Sequence, residues 1–485
     1  MSSNLPILLF LVPFVTGIAM PMLTAKRRSW CGPLAMAAQS LMVVLGIVNL
    51  RTVLSEGSIE YALGGWAAPL GIAWIDDPLA AVMVLTVSII ALLTLIYSGV
   101  VASSSLDKSM PYYTLILLLV SGLVGIVFAA DLFNVFVFLE VVAISAYALV
   151  GAAGGSALVY AFRYLLLGSL GATLYLLGVA HLYAVTGTLN MADLAVRLPE
   201  IITSTAVAGG LIYIFLGLSI KMALIPLHGW LPDAYASAPG AVTPLLAGTV
   251  TKVSLVAWVR IEYSLIAPGI EVGHVPVLVL LEELGVIAAL VGGALALIQT
   301  DLRRMFAYGG ISHVGLILIG VSLGNPTGFA GGLFYLINDA FMQAALFMIA
   351  GAMVHYYGAR SLNDLRSMQQ RSPWLTGTLV IVAIAMVGLP PTGGFFGKWN
   401  IVLGALEAQH YLAAFAVVAS TLLTLAYFVR ILTNWFHQPQ TADSEPLVVS
   451  RSLSFCLGFV SIAMIALGLL SDSIFEFLLQ TGGGV

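Results

Sequence analysis

Residues Lys221–Lys252 read KMALIPLHGWLPDAYASAPGAVTPLLAGTVTK, and every later assignment follows from how this stretch is placed. A lysine stands at each end, inside runs apolar enough to lie in lipid. Between them the only charged or titratable residues of note are His228 and Asp233. A lysine at mid-bilayer costs about 2.5–3.5 kcal/mol on translocon scales, so its default reading is an ion or proton path. Pro226 lacks a backbone N–H and crowds the carbonyl of Met222, so the helix that carries Lys221 should break just after it. Carbonyls freed at membrane depth are tolerated only inside protein or beside a water-filled cavity. His228 lies seven residues beyond Lys221, on the same face of a continuous helix. Across a break that alignment loses its meaning, and a packing histidine is the equal alternative.

The composition around this stretch is that of a membrane protein. Of 485 residues 60% are hydrophobic and 8% charged, with a mean hydropathy of +1.06, which leaves too little polar surface for a water-soluble globule. The expected fold is all-α and polytopic, one membrane domain over 1–485. Apolar stretches of span length fall at 5–24, 31–54, 76–99, 110–130, 131–150, 157–186, 203–231, 241–261, 277–298, 303–322, 328–354, 374–408, 409–437 and 451–479, giving about fourteen transmembrane helices. The first stretch lacks a basic start and a small-residue cleavage site, and reads as a retained helix rather than a signal peptide. The net charge of -4 is thinly spread, so no nucleic-acid partner is expected. Cys31 and Cys456 stand far apart without neighbours at metal-ligand spacing, so no metal site is expected. No GxGxxG, CxxC or large loop offers a place for a nicotinamide, flavin or iron-sulfur cluster, and no cofactor is expected in this chain.

Charge distribution sets an orientation. With the N-terminus outside, inner loops and helix ends carry Lys26, Arg27, Arg28, Lys108, Arg163, Arg303, Arg304, Arg360, Arg366, Arg371, Arg430 and Arg451, against Arg51, Arg197 and Arg260 outside. That bias predicts both termini on the outer side of a prokaryotic plasma (inner) membrane. Lys221, Lys252 and Lys398 remain, and all three fall within the membrane.

Other charged and polar residues join them. Glu140 lies deep in the fifth stretch, and a carboxylate there would sit neutral unless it faced a lysine; Lys221 and Lys252 are the available partners. A buried ion pair that only fixes helix packing is the structural alternative. The twelfth stretch repeats the proline device: Pro390 and Pro391 disturb the carbonyls of Met386 and Val387, and Lys398 follows. Two interrupted, lysine-bearing spans five spans apart predict a pair of inverted repeats, 110–261 and 277–437. Between them stand His313, whose ordinary titration range reaches neutral pH, and Asn338, Asp339 and Gln343. The predicted polar line runs Glu140, Lys221, Lys252, His313, Asp339, Lys398.

These residues resemble the antiporter-like membrane subunits of respiratory complex I and of the Mrp multisubunit sodium/proton antiporters. DLFNVFVFLEV with Glu140, IKMALIPLHGWLPDAYASAP with Lys221, LLAGTVTKVSL with Lys252, DLRRMFAYGGISHVG with His313 and GLPPTGGFFGKW with Lys398 carry the likeness. The FLEVVAISAYALVG stretch and the chain length look most like the Mrp D-type subunit or its relative in membrane-bound hydrogenases. The resemblance implies fourteen helices with two inverted five-helix repeats and broken seventh and twelfth helices. It also implies that Glu140 and Lys221 form a switching pair, Lys252 a lateral carrier and Lys398 the terminal site. Family members usually have a Lys and a His where this chain has Gln343 and Asp339, and a Lys at the place of Arg163. Gln343 cannot hold a proton for transfer, so the central link is expected either to pass through His313, Asp339 and water or to favour a different ion.

The expected function is therefore translocation of protons, or exchange of protons for sodium, by one subunit of a complex with other integral membrane subunits. The alternatives are the proton-pumping subunit of a redox-driven complex, either an NADH:quinone oxidoreductase or a membrane-bound hydrogenase, and a transport-inactive scaffold for a partner enzyme. Any redox energy must come from partner subunits.

Overall fold

The computed structural model describes residues 4–101, 109–265, 271–272, 275–365, 372–437 and 449–479. Lys108, Arg366 and Arg371, placed inside by the charge count, lie outside the described residues. The chain is an all-α polytopic membrane protein. Among the described residues twelve helices are long and apolar enough to cross a membrane, and two shorter apolar helices, Thr205–Lys221 and Pro373–Val387, stand in the seventh and twelfth stretches. Helices satisfy every backbone group within the segment, which is why apolar runs of this length adopt them. Two short antiparallel hairpins, Ile59–Ala62 with Ala73–Asp76 and Glu271–Val272 with Val275–Pro276, and several short helices accompany them among the described residues.

Four stretches depart from a continuous α-helix, two of them at the expected proline breaks. Both proline-broken spans are interrupted: one helix ends at Lys221 and resumes at Leu231, the other ends at Val387 and resumes at Gly393. The eighth stretch contains a wide π turn at Leu246–Val250. The last one, expected as a single span, divides at Leu470 into Arg451–Leu469 and Ser471–Leu479.

The helix Pro326–Tyr357 forms the centre, buried throughout its most apolar span-length window. Against it and its neighbours helices approach closely through glycines. A Cβ at Gly404 would stand 2.5 Å from the backbone of Gly328, and one at Gly178 would stand 2.4 Å from the Gly210 carbonyl oxygen. Small residues of this kind allow tight helix pairing where lipid supplies no hydrophobic drive.

Two loops fasten helix ends in the same way. The Asp131 carboxylate caps its helix by accepting from the Asn134 N–H at 2.9 Å, while the Leu132 N–H donates to the Leu189 carbonyl and the Met191 N–H to that of Ala130, each at 3.0 Å. At the other site the Asp301 carboxylate accepts from the Arg304 N–H at 2.9 Å, the Leu302 N–H donates to the Arg360 carbonyl and the Leu362 N–H to that of Thr300, each at 3.0 Å. An Asp cap satisfies an end donor and complements the helix dipole.

The close approach predicts that Gly404→Val, which has no room for its side chain, destabilises the folded protein by about 1–3 kcal/mol. Thermal unfolding in detergent should show a lowered midpoint for Gly404→Val and little change for Gly458→Ala, where a Cβ would meet nothing within 4 Å.

Candidate ion-translocation axis

Lys221 occupies the last residue of its helix, where the dipole favours a cation. Its Nζ lies 3.3 Å from Glu140 Oε1, on the helix Leu132–Gly151. The lysine side chain is 7% exposed and the glutamate 32%, so the carboxylate also faces out of the bundle. Beyond Lys221 the chain turns through Met222–Trp230, and Ala223 takes a φ of 58°. The Trp230 indole N–H donates to the Ile220 carbonyl at 2.8 Å, closing one acceptor at the interrupted end.

Lys252 follows the π turn. Its ammonium donates to the Ala247 carbonyl, inside that turn, at 3.0 Å, and lies 2.8 Å from Asp339 Oδ2. The other oxygen of Asp339 is 2.7 Å from His313 Nδ1. All three side chains are buried. A carboxylate only accepts, so Nδ1 carries the hydrogen toward Asp339 and Nε2 is left without a partner. Asp339 therefore joins a lysine and a histidine that stand far apart in the sequence.

Lys398 is buried at the second interruption. It donates to the Met386 carbonyl at 2.8 Å and the Val387 carbonyl at 3.3 Å, the two acceptors that Pro390 and Pro391 release. Its Nζ also stands 5.8 Å from the Tyr335 ring centre.

Gln343 is buried, with its amide nitrogen unpaired. It borders a cavity of about 10 Å³ together with Met222, Lys252 and Gly310. That volume is close to the minimum for one water, and Lys252, Thr251 and the Gln343 amide are polar groups in its mostly apolar lining.

The remaining predicted residues lie elsewhere. Asp233 pairs with Arg163 at 3.0 Å and with Arg304 at 2.8 Å, at the end of the bundle rather than with a lysine of the line. His228 is half-buried with its ring edge toward Tyr308, consistent with packing. Sequence reasoning missed Arg304, Tyr335 and the π turn. The Arg303-Arg304 doublet was a visible signal for the first, whereas LAGTV carries no mark of a widened turn. Among the described residues no group of three His, Cys, Asp or Glu side chains is placed to hold a metal ion.

A helical membrane bundle with lysines seated at helix interruptions, two of them paired with carboxylates, defines a class of ion-handling membrane subunits. Residues 129–424 match the family described as NADH:quinone oxidoreductase/Mrp antiporter, TM, and the chain belongs to that family. It is similar to the N subunit of the NADH-quinone oxidoreductase of Desulforudis audaxviator, 37% identical over 499 aligned positions covering 99% of this chain and 98% of that protein. It is similar also to the D-type subunit of the Na(+)/H(+) antiporter of Alkalihalophilus pseudofirmus, 33% identical with 99% and 96% covered. Among solved structures it resembles a chain of the membrane-bound sulfane sulfur reductase, an archaeal respiratory membrane complex, with a TM-score of 0.92, 29% identity and 99% and 97% covered.

Asp339→Asn removes the carboxylate that faces the buried Lys252 ammonium and leaves that charge alone, and a destabilisation of about 3–5 kcal/mol is expected. Thermal unfolding should register it. The double variant Lys252→Met with Asp339→Leu should regain much of that loss, because no buried charge is then left alone.

Proposed function

We propose that this chain is the proton-translocating subunit of a multisubunit membrane complex, exchanging protons for sodium. The observation that carries this reading is the buried sequence Lys252–Asp339–His313, flanked by Lys221 and Lys398 at the two helix interruptions. With Glu140 at 3.3 Å the ammonium form of Lys221 is stabilised. When Glu140 is drawn away, a buried ammonium without a counter-charge costs more than a neutral amine, and the lysine releases its proton. The proton then moves through water beside Gln343 to Lys252, across Asp339 and His313, and on to Lys398. The exposure of Glu140 supports control by a neighbouring subunit, since a carboxylate at this depth is costly against lipid. The relatives named above as parts of an antiporter, an oxidoreductase and a respiratory complex support such partners.

The paired loop fasteners support the inverted repeats 110–261 and 277–437, since Asp131 opens the fifth stretch and Asp301 the tenth, which run in opposite directions across the membrane. The same repeats account for glycine approaches in the sixth and seventh stretches and in the eleventh and twelfth. The basic inner loops support a prokaryotic plasma membrane location with both termini outside. The likeness to an NADH-quinone oxidoreductase subunit favours a second reading, in which the same axis is driven by a redox partner and sodium takes no part. The direct link through Asp339 carries charge without protonating Gln343, which weighs against a transport-inactive scaffold.

Proton flux in inverted vesicles containing the whole complex tests these readings. Lys221→Ala and Glu140→Ala should each lower flux by about two orders of magnitude while the complex still assembles. A flux that follows an imposed sodium gradient identifies exchange, and one that ignores it identifies the redox-driven pump. Unchanged flux in both variants would return the charged line to a packing role.

A further inference from the structure

Three polar atoms near the end of the axis are buried without a partner in the structure: His313 Nε2, Tyr335 Oη and Tyr427 Oη. Buried polar groups are nearly always paired, so these open positions call for a reason. The Tyr335 ring lies beside both of the last two members of the charged line. Its ring centre is 5.2 Å from that of His313, with the planes tilted by 57°, and 5.8 Å from Lys398 Nζ. It lies one turn before Asp339 on the same helix, hence on the same face. Gly397, beside Lys398, leaves room for it: a Cβ there would stand 2.9 Å from Tyr335 Cβ. The Tyr427 hydroxyl stands 3.0 Å from where a Cβ on Gly309 would be, one turn before His313. His313 spends Nδ1 on Asp339, and Lys398 spends its hydrogens on the Met386 and Val387 carbonyls, so no direct hydrogen bond joins the two.

We propose that the Tyr335 hydroxyl passes protons between His313 and Lys398. The inference rests on the translocation reading above and adds the group that crosses its final gap. In the forward step the Nε2–H bond of the protonated imidazole breaks and its hydrogen joins the hydroxyl oxygen. The hydroxyl's original hydrogen leaves for the neutral amine of Lys398, forming the third N–H of an ammonium. Tyrosine ends as it began, His313 is neutral and Lys398 is charged. A phenol offers both a donor and an acceptor, which this exchange requires. The flexible lysine stem brings Nζ from the carbonyls to the hydroxyl.

Tyr335→Phe deletes the hydroxyl and keeps the ring that packs on His313 and Gly397. Proton flux should be read in vesicles of the whole complex for wild type, Tyr335→Phe and His313→Ala, in H2O and D2O. A fall of about a hundredfold in Tyr335→Phe, with a larger solvent isotope effect than wild type and an unchanged unfolding midpoint, is expected. A packing role alone would leave the isotope effect where it was. Wild-type flux in Tyr335→Phe beside abolished flux in His313→Ala overturns the assignment of Tyr335 and leaves the pathway standing. Wild-type flux in His313→Ala overturns the pathway itself, and this step with it.

Discussion

A positive charge inside a hydrocarbon layer must have an oxygen beside it, and an unbroken helix has none to spare. The interruptions in this fold supply them. Pro390 and Pro391 leave the Met386 and Val387 carbonyls to Lys398, and the π turn leaves the Ala247 carbonyl to Lys252. Lys221 takes the end of a helix and a carboxylate instead. Each lysine is thus seated where helical hydrogen bonding has been given up, so the breaks and the charges are one arrangement.

Such seats hold their shape only if the surrounding helices are fixed closely. The buried helix Pro326–Tyr357 provides the reference to which Asp339, Tyr335 and Gln343 are all attached. Glycine approaches draw its partners in to backbone contact, and the fastened loops at Asp131 and Asp301 hold helix starts at opposite ends. The Asp233 group with Arg163 and Arg304 ties three further segments by charge, at a partly exposed place where such pairs contribute about 0–1 kcal/mol each.

Proline chemistry made much of this legible in the sequence. The end of one helix at Lys221, and even the identity of the two carbonyls that receive Lys398, follow from which backbone groups a proline disturbs. Hydropathy placed the spans because length and apolarity are local properties. What stayed hidden is pairing between distant segments. Nothing in the residues around Lys252 says that its carboxylate stands on a helix far along the chain, or that His313 shares it. Depth was equally hidden: Asp233 follows Lys221 closely in sequence, yet the interruption carries it away to Arg163 and Arg304. A widened turn in LAGTV leaves no compositional trace at all.

The shared carboxylate of Asp339 has a consequence for traffic along the axis. One negative charge stands between two groups that can each be positive, on a helix buried throughout its most apolar window. It can neutralise one of them fully or both in part, but not both fully. A proton that settles on His313 therefore loosens the hold on the one carried by Lys252, and the reverse holds in turn. In the proposed pathway this makes Asp339 a turnstile, admitting carriers singly and giving each arrival the means to dislodge the one before it.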